Sequence, residues 1–387
     1  MKVLPGLHRF NALAAFVALS LVLWSWATDI VHVRPAAFDS SAGHPTEPPD
    51  APVRSSALPV ALPVALTPAR RPAVSDPLYR ERFASGGQTA QVHASTAYLP
   101  RSGGLTAFWY GGSREGAQDV SIYSARLDRG EWDAARIVID RKRMKAELNR
   151  HIRKIGNATV YRHPDGRLWL FFVTVSVGGW AGSAINLAES PDDGQTWSRA
   201  RRLVTSPMLN LSTLVRSSAF RYEDGSVGLP VYHEFVGKFA ELLRIAPDGR
   251  ILAKTRFTAG RQALQPEIAI LGPDRAVGLL RYAGGAPRRL MHMTTENAGR
   301  SWSTPVKIPM PNPDAAVDVV ALGGDRLLAV LNDLDEGRNR LVLTASENLG
   351  RDWRMVQVLE HDDQAPGSNE SEFSYPWLER SAGGEFH

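Results

Sequence analysis

The chain has 387 residues, of which 43% are hydrophobic, and it contains no Cys. This length supplies one large hydrophobic core or two of ordinary size, and the lack of Cys excludes disulfides, thiolate metal sites and a cysteine nucleophile. The formal net charge of +5 is a small excess without a long basic run, so the sequence gives no reason to infer nucleic-acid binding.

The N-terminus carries an uncharged apolar stretch, FNALAAFVALSLVLWSWA at residues 10–27, after a positively charged start. It is short for a membrane-spanning helix, long for the core of a signal peptide, and ends in the small-x-small site Ser25-Trp26-Ala27. We interpret residues 1–32 as a hydrophobic helix that is either a cleaved signal peptide or a membrane anchor. Either case predicts a secreted, periplasmic or membrane-anchored protein whose folded part lies outside the cytoplasm.

Residues 33–78 are rich in Pro and Ala, as in PPDAPVRSSALPVALPVALTPARRPAV. Such a composition is typical of a semi-stiff tether rather than a packed core. We therefore predict a disordered linker over 33–78 and a single folded domain over 79–387.

The folded domain is predicted to be all-β. Short runs such as LTAFWY, VSIYSARL and RLWLFFVTV alternate with turn signals such as HPDG and EDGS, and 33 Gly suit so many turns. One basic segment, RKRMKAELNRHIRK at 141–154, differs and is interpreted as a solvated helical insertion or loop.

An eight-residue motif repeats along this domain: SPDDGQTW at 190–197, TENAGRSW at 295–302 and SENLGRDW at 346–353. The starts are 105 and 51 residues apart (190 to 295, then 295 to 346), so one unit spans about fifty residues. Degenerate copies stand at 124–132 and 245–252. Five such units, plus one blade closed by both chain ends, predict a six-bladed β-propeller of four-stranded antiparallel blades.

The motif itself is expected to be structural. Its Asp or Asn can bond backbone amides of the turn, its Gly supplies a positive φ, and its Trp packs between blades. The ending RSAGGEFH resembles a turn and the start of another strand, so we expect the last blade to be incomplete or the sequence truncated.

These motifs resemble the Asp box, or bacterial neuraminidase repeat, of the sialidase superfamily, and the resemblance covers about residues 85–387. Asp boxes also occur in propellers without enzymatic activity, so alone they indicate a fold. The resemblance implies a retaining glycosidase with a Tyr nucleophile activated by Glu, an Asp acid/base and three Arg that bind the substrate carboxylate. It implies no metal or cofactor.

The resemblance assigns roles to two residues of FWYGGSREGAQDV: Arg114 to substrate binding and Asp119 to acid/base catalysis, with Glu115 as an adjacent candidate. It aligns His93 with the first of the three arginines. An imidazole does not bind a carboxylate in two places as a guanidinium does, so this departure weakens the implied site.

In LQPEIAILGPDRAVGLLRY, Arg281 matches the second arginine and Gln265 stands where the family has its activating Glu. Gln cannot act as a base. Glu267 lies two residues further on, hence on the same face of a strand, and is the alternative base. SEFSYPWLE resembles the segment with the nucleophile, which assigns that role to Tyr375.

GRNRLVLTASENLG offers Arg338 and Arg340 for the third arginine, and spacing favours Arg338. Three residues outside the resemblance also open strands of the middle blade and are candidates for the mouth of the propeller: Arg216, His233 and Glu234. A His-Glu pair can work as an acid/base unit.

Three functions remain open on the sequence. The first is a sialidase-like hydrolase that acts on an acidic sugar or glycan. The second is a carbohydrate-binding propeller without activity, favoured by His93 and Gln265. The third is a hydrolase or lyase of other specificity that uses His233 and Glu234.

Overall fold

The computed structural model describes residues 35–43, 79–206, 210, 212–363, 371–381 and 383–387. The described part is all-β, as predicted, with twenty-two strands and one α-helix. The hydrophobic helix predicted within 1–32, with its membrane tether at 10–27, lies outside the described residues, as does most of the Pro/Ala-rich linker. No helix in the described part is long and apolar enough to cross a membrane.

The strands form five antiparallel sheets, each built from consecutive segments and here called blades 1 to 5. Blade 1 contains β1 (Gln91–Tyr98), β2 (Leu105–Gly112), β3 (Ser121–Asp128), β4 (Glu131–Trp132) and β5 (Arg136–Ile139). Blade 2 contains β6 (Lys154–Arg162), β7 (Leu168–Val175), β8 (Ser183–Ser190) and β9 (Arg201–Arg202). Blade 3 contains β10 (Leu214–Val215), β11 (Phe220–Arg221), β12 (Val227–His233), β13 (Phe239–Ile245) and β14 (Ile251–Arg256).

Blade 4 contains β15 (Ala263–Ile270), β16 (Ala276–Tyr282), β17 (Arg289–Thr295) and β18 (Val306–Pro311). Blade 5 contains β19 (Asp318–Gly323), β20 (Arg326–Leu331), β21 (Arg340–Ser346) and β22 (Arg354–His361). In blades 1 and 3 one of the four strand positions is split into two short strands, β4 with β5 and β10 with β11. Short 3-10 helices occupy Ser40–Gly43 and Trp180–Gly182.

The prediction of six blades is wrong, because the described residues form five sheets. The three complete motifs and two degenerate copies fall in the five blades, one in each. The expected additional blade required the two chain ends to pair. Instead, the segment 35–43 joins blades 3 and 4, where Phe38 bridges Tyr222 and donates to the Pro273 carbonyl at 2.6 Å. After 371, the described residues form a single isolated bridge, Arg380 to Phe386.

The basic segment is partly helical, as the sequence indicated, and α1 spans Arg141–Leu148. Its N-cap Asp140 accepts a hydrogen bond from the Arg143 amide at 2.7 Å, and Asn149 ends it in the left-handed conformation with φ 49°. Met144 is fully buried. Leu148 packs against the core cluster that contains Met144. Two apolar contacts and two caps therefore fix a helix that is otherwise mostly polar.

The core lies between blades rather than within one. Four clusters of buried side chains join blade 1 to 2, 2 to 3, 3 to 4 and 4 to 5. The motif tryptophans Trp197, Trp302 and Trp353 pack at the edges of three of these clusters. Burial of these apolar faces holds neighbouring blades side by side, and the tryptophans take the inter-blade place that the sequence indicated.

The repeated motif fixes a turn in the way its residue types predict. In the first copy, Asp192 Oδ1 accepts from the Thr196 amide and Ser190 Oγ accepts from the Gly194 amide, both at 2.8 Å. The Trp197 ring nitrogen donates to the Gly194 carbonyl at 3.1 Å. The copies at 295 and 346 repeat the bonds of the Asn and Ser/Thr side chains to the turn amides. The motif supports the turn and leaves no side chain for chemistry.

Candidate active site

The first strands of the blades line the central axis, and three of them are bulged near their first residues. The register shifts in β1, β6 and β15 coincide with positive φ at Ala94 (50°), Asn157 (31°) and Gln265 (48°). A bulge re-aims the side chains next to it, and such strained positions concentrate at functional sites. The bulges therefore mark one end of the axis as the candidate site.

A chain of polar side chains crosses this end from blade 2 to blade 5. Asn157 Nδ2 and Gln265 Nε2 donate to the Tyr232 hydroxyl at 2.8 and 3.2 Å. Gln265 Oε1 accepts from Arg281 Nη1 at 3.1 Å, and Arg281 Nε donates to Asp314 Oδ1 at 2.6 Å. Because a guanidinium only donates, the orientation of the Gln265 amide is fixed by chemistry.

Tyr375 joins this network from the C-terminal segment. Its hydroxyl lies 3.5 Å from Arg281 Nη1, and its backbone has φ 60°. Burial opposes the charged form of Arg281, but interactions with Tyr375 and Asp314 outweigh it and raise the pKa of the guanidinium. The hydroxyl therefore faces a charged guanidinium.

His93 and Glu115 lie beside Tyr375. The His93 ring is 5.5 Å from the Tyr375 ring, edge to face, and His93 Nε2 is 3.6 Å from Glu115 Oε2. The contact with Glu115 raises the pKa of His93 against the effect of burial, and the contact with His93 lowers the pKa of Glu115. Each partner thus favours the charged form of the other.

Arg338 lies on the blade 5 side of the network. It donates to the Asp314 carbonyl and to Glu372 Oε1, both at 2.7 Å, so Asp314 bridges it to Arg281. Arg340 instead lies 3.5 Å from Asp333. Two of the three predicted arginines therefore converge, but each already has a carboxylate partner, and the mouth carries balanced charge rather than a net positive field.

Glu267 and Arg216 form an ion pair beneath the mouth. Arg216 Nη1 is 3.2 Å from Glu267 Oε2, both side chains are 1% exposed, and Glu267 Oε1 accepts from the Ser218 amide at 2.7 Å. Burial raises the pKa of Glu267, and the nearby Asp318 raises it further. The described contacts of Glu267 thus tie blades 3 and 4 together and do not reach the Tyr375 hydroxyl.

Asp119 and Arg114 lie on the exposed loop between β2 and β3. The Ser113 amide and hydroxyl donate to Asp119 at 2.9 and 3.0 Å and lower the pKa of its carboxyl. In the described part, neither residue bonds to the network around Tyr375. Of the acidic residues in this loop, Glu115 is the one that lies close to the network around Tyr375, through its contact with His93.

His233 and Glu234 do not act as a pair in this structure. His233 Nε2 accepts from the Val236 amide at 3.1 Å, its ring stacks on Phe239, and burial lowers its pKa to about 4. Glu234 is half-buried, and burial raises its pKa against the attraction of Lys238 and Arg281. Glu234 therefore belongs to the electrostatic surroundings of the network, whereas His233 is a packed, neutral side chain.

The sequence reasoning missed several residues of this site: Asn157, Tyr232, Asp314, Lys154 and Trp180. Lys154 lies 3.8 Å above the Trp180 ring, which rests on Gly156 of β6. The sequence contained a signal for two of them: the Gly-Asn pair inside a strand run marks Asn157, and the Asn-Pro-Asp turn before a strand marks Asp314, because both patterns indicate irregular backbone. No pattern in the sequence distinguishes Tyr232, Lys154 and Trp180 from ordinary core and surface residues.

A cavity of about 700 Å³ lies at the other end of the axis. Its lining includes residues 160–164 and 268–270, at the ends of β6 and β15, and residues 319–321 of β19. His93, Asn157 and Gln265 belong instead to the first halves of β1, β6 and β15. The two ends of the axis are therefore distinct in chemistry, and the network of titratable groups is at the bulged end.

The comparisons agree with the repeat and the fold. The family model for the BNR repeat-like domain matches residues 103–387. No curated protein matches the sequence. Three similar solved structures are a Hadza microbial sialidase (18% identity, TM-score 0.58), the NanB sialidase of Streptococcus pneumoniae (10%, 0.60) and the intramolecular trans-sialidase of Ruminococcus gnavus (11%, 0.58).

The matches cover 71%, 79% and 77% of this chain and, in the same order, 60%, 66% and 89% of the other proteins. The chain thus spans about 60% of the length of the first of these proteins. At such low identity the likeness shows the fold alone.

Proposed function

The chain belongs to the family of BNR repeat-like domains, propellers of the sialidase superfamily, and on that premise we propose that it is a glycoside hydrolase that removes an acidic sugar, with Tyr375 as nucleophile. The observation that carries the proposal is the contact between Tyr375 and Arg281. A phenol in a left-handed backbone conformation is held 3.5 Å from a buried guanidinium at the axis. Strain and buried charge at one side chain favour a chemical role over a packing role.

In the proposed mechanism, the Tyr375 hydroxyl releases its proton to solvent water, and its oxygen attacks the anomeric carbon as the bond to the leaving group breaks. Arg281 stabilises the phenolate character of the oxygen, which compensates for Gln265 at the place of a carboxylate base. His93, protonated and paired with Glu115, gives a proton to the departing oxygen, and the pair later takes one from the water that releases the sugar. Asp119 of the same loop, to which the resemblance assigns this role, is the alternative acid/base. Arg281 and Arg338 orient the substrate carboxylate.

The test is turnover by the full chain on a panel of fluorogenic sialosides and uronides. Tyr375→Phe is expected to remove activity while the protein stays folded, because the ring and its contacts remain. Tyr123→Phe is the matched control, since Tyr123 stacks on Trp109 in blade 1 away from the site. A Tyr375→Phe variant with full activity would exclude Tyr375 as nucleophile.

A carbohydrate-binding protein without activity is the second candidate, and one observation favours it. Arg281 is already engaged by Asp314 and by the neutral Gln265. Gln265→Glu separates the two functions: in a hydrolase the new carboxylate, placed beside Arg281 and Tyr375, is expected to increase turnover. Glycan binding without turnover in both proteins favours the binding function.

We also propose that the domain is exported, because residues 10–27 are uncharged and apolar and follow a positively charged start. Fractionation of cells that produce the full chain tests this. Recovery of the protein in the cytoplasm alone would contradict it.

A further inference from the structure

The segment that carries Tyr375 is held by side chains and not by a sheet. Among the described residues 371–381, the strand-type pairing is the single bridge between Arg380 and Phe386. One backbone bond, from the Phe373 amide to the Arg338 carbonyl (2.8 Å), ties the segment to blade 5. The other contacts of its backbone with the blades come mainly from side chains of blades 1, 3 and 5. They include Ser95 Oγ to the Tyr375 carbonyl (3.1 Å), Asn332 Nδ2 to the Phe373 carbonyl (2.9 Å), the Leu378 amide to Asp318 Oδ2 (2.7 Å), and Arg216 Nη2 to the Pro376 carbonyl.

Arg216 is almost fully buried, at 1% exposure, and it is the one of these groups that carries a guanidinium. One arm of its guanidinium donates to the Val317 carbonyl at 2.9 Å and faces Glu267, and the other donates to Pro376. A guanidinium presents its donors in a rigid fork. Arg216 therefore fixes the Pro376 carbonyl, one residue after Tyr375, relative to blades 4 and 5.

Tyr375 needs such support. Its φ of 60° lies in the left-handed region, which a non-glycine residue keeps only when its surroundings determine it. The carbonyl of Tyr375 and that of the next residue are both fixed, by Ser95 and by Arg216. The Tyr375 hydroxyl is thereby held against Arg281.

We propose that Arg216 is a positioning residue for Tyr375: its buried fork fixes the Pro376 peptide and thereby the place of the phenol oxygen at the axis. The inference rests on the proposed role of Tyr375 as nucleophile. It assigns Arg216, which the sequence suggested for contact with substrate, an indirect role. Arg281 and Arg338 lie on blades 4 and 5 and are linked by Asp314. Arg338 also contacts Glu372 and Phe373 of the segment, so loss of the Arg216 contacts is expected to change KM less than kcat.

The test compares Arg216→Met and Arg216→Lys with Arg143→Met in the full chain. Arg143 is the matched control because it pairs with Glu147 and donates to the carbonyls of Val138 and Ser198, all remote from Tyr375. Hydrogen exchange of residues 371–381 reports the placement of the segment, and kcat and KM report the chemistry. Ser95→Ala is a milder variant, because it removes one exposed bond to the Tyr375 carbonyl.

We expect Arg216→Met to speed exchange in 371–381 and to lower kcat by about 100-fold, since a misplacement near 1 Å has that effect, with KM within about threefold. Arg216→Lys is expected to recover part of the kcat, and Ser95→Ala to lower kcat by less. Arg143→Met is expected to leave kcat and this exchange unchanged.

Several results would overturn the inference. One is faster exchange in 371–381 with unchanged kcat, and another is a uniform loss of protection across all blades. If Arg216→Met does not fold, Ser95→Ala decides, and an unchanged kcat there with faster exchange refutes positioning. If the natural protein hydrolyses no substrate, the proposed function fails, and the exchange data alone decide whether Arg216 holds the segment.

Discussion

Replacement of Glu379 by Gln is expected to stabilise the protein increasingly as the pH rises. Glu379 lies four residues after Tyr375, and its Oε1 accepts from the Trp377 ring nitrogen at 3.0 Å. Burial raises the pKa of its carboxyl from 4.5 to about 8, and Asp318 adds to the effect. Gln keeps the acceptor for Trp377 and carries no charge, so the variant removes the titration with little change in shape.

The magnitude follows from linkage between protonation and folding. Between pH 4.5 and about 8 the folded protein keeps a proton on Glu379 that the unfolded chain releases, so stability falls as pH rises. A single group contributes about 1.4 kcal/mol per pH unit. The free energy of unfolding of Glu379→Gln therefore rises relative to that of the natural protein by about 3 kcal/mol between pH 5 and pH 7. This value is an upper bound, because part of the Glu379 side chain contacts solvent.

Urea unfolding followed by tryptophan fluorescence at pH 5, 6 and 7 measures this difference. Glu385→Gln is the control, because Glu385 lies in the same C-terminal turn and is exposed. A difference between variant and natural protein that stays constant with pH would refute the reasoning, and so would an equal widening in the control.

Three further predictions concern the site and the repeat. Gly156→Ala places a Cβ 2.5 Å from the Trp180 ring, and because the ring must move, we expect kcat/KM to fall about tenfold. Gly179→Ala is the control, since the space around Gly179 is open, and it is expected to leave kcat/KM unchanged. Asp192→Ala removes the acceptor for three groups of the turn. It is expected to lower the free energy of unfolding in urea by about 1–2 kcal/mol without a change in KM. The pKa of His93 is raised in the folded protein, so protonated His93 stabilises the fold fully below pH 6.5, and this stabilisation is lost as the pH rises through the folded pKa. The difference in free energy of unfolding between the natural protein and His93→Gln, measured by urea unfolding, should therefore narrow from pH 6 to pH 9.

The blades that contain the repeated motif were predictable from the sequence. Each copy of the motif forms a turn through hydrogen bonds among its own residues, so each copy indicates one blade. The additional blade was an inference about how distant chain ends meet, and no local pattern specifies that pairing. Among the described residues, Phe38 bonds to blades 3 and 4, and the Tyr375 segment bonds to side chains and to the Arg338 carbonyl.

The candidate site was predictable only where residue type and spacing agreed. Tyr375, Arg281, Arg338 and His93 meet at one end of the axis, as the resemblance implied. The alternative role of Glu267 as base could not be judged from the sequence. Two residues on the same face of a strand can lie at different distances from the mouth of the propeller, and the bulge beside Gln265 also changes the direction of the neighbouring side chains. Which acid of the loop 113–119 approaches the tyrosine depends on the loop path, which spacing does not determine.

The pairing of Arg281 with Asp314 sets a condition on any anionic ligand. An incoming carboxylate can reach Arg281 Nε only by displacing the resident one at 2.6 Å. Because one carboxylate replaces another of the same charge, the exchange supplies little net electrostatic gain. If the proposed acidic sugar binds here, its carboxylate gains little at Arg281 Nε, and its shape and hydroxyl groups would have to supply most of the selectivity.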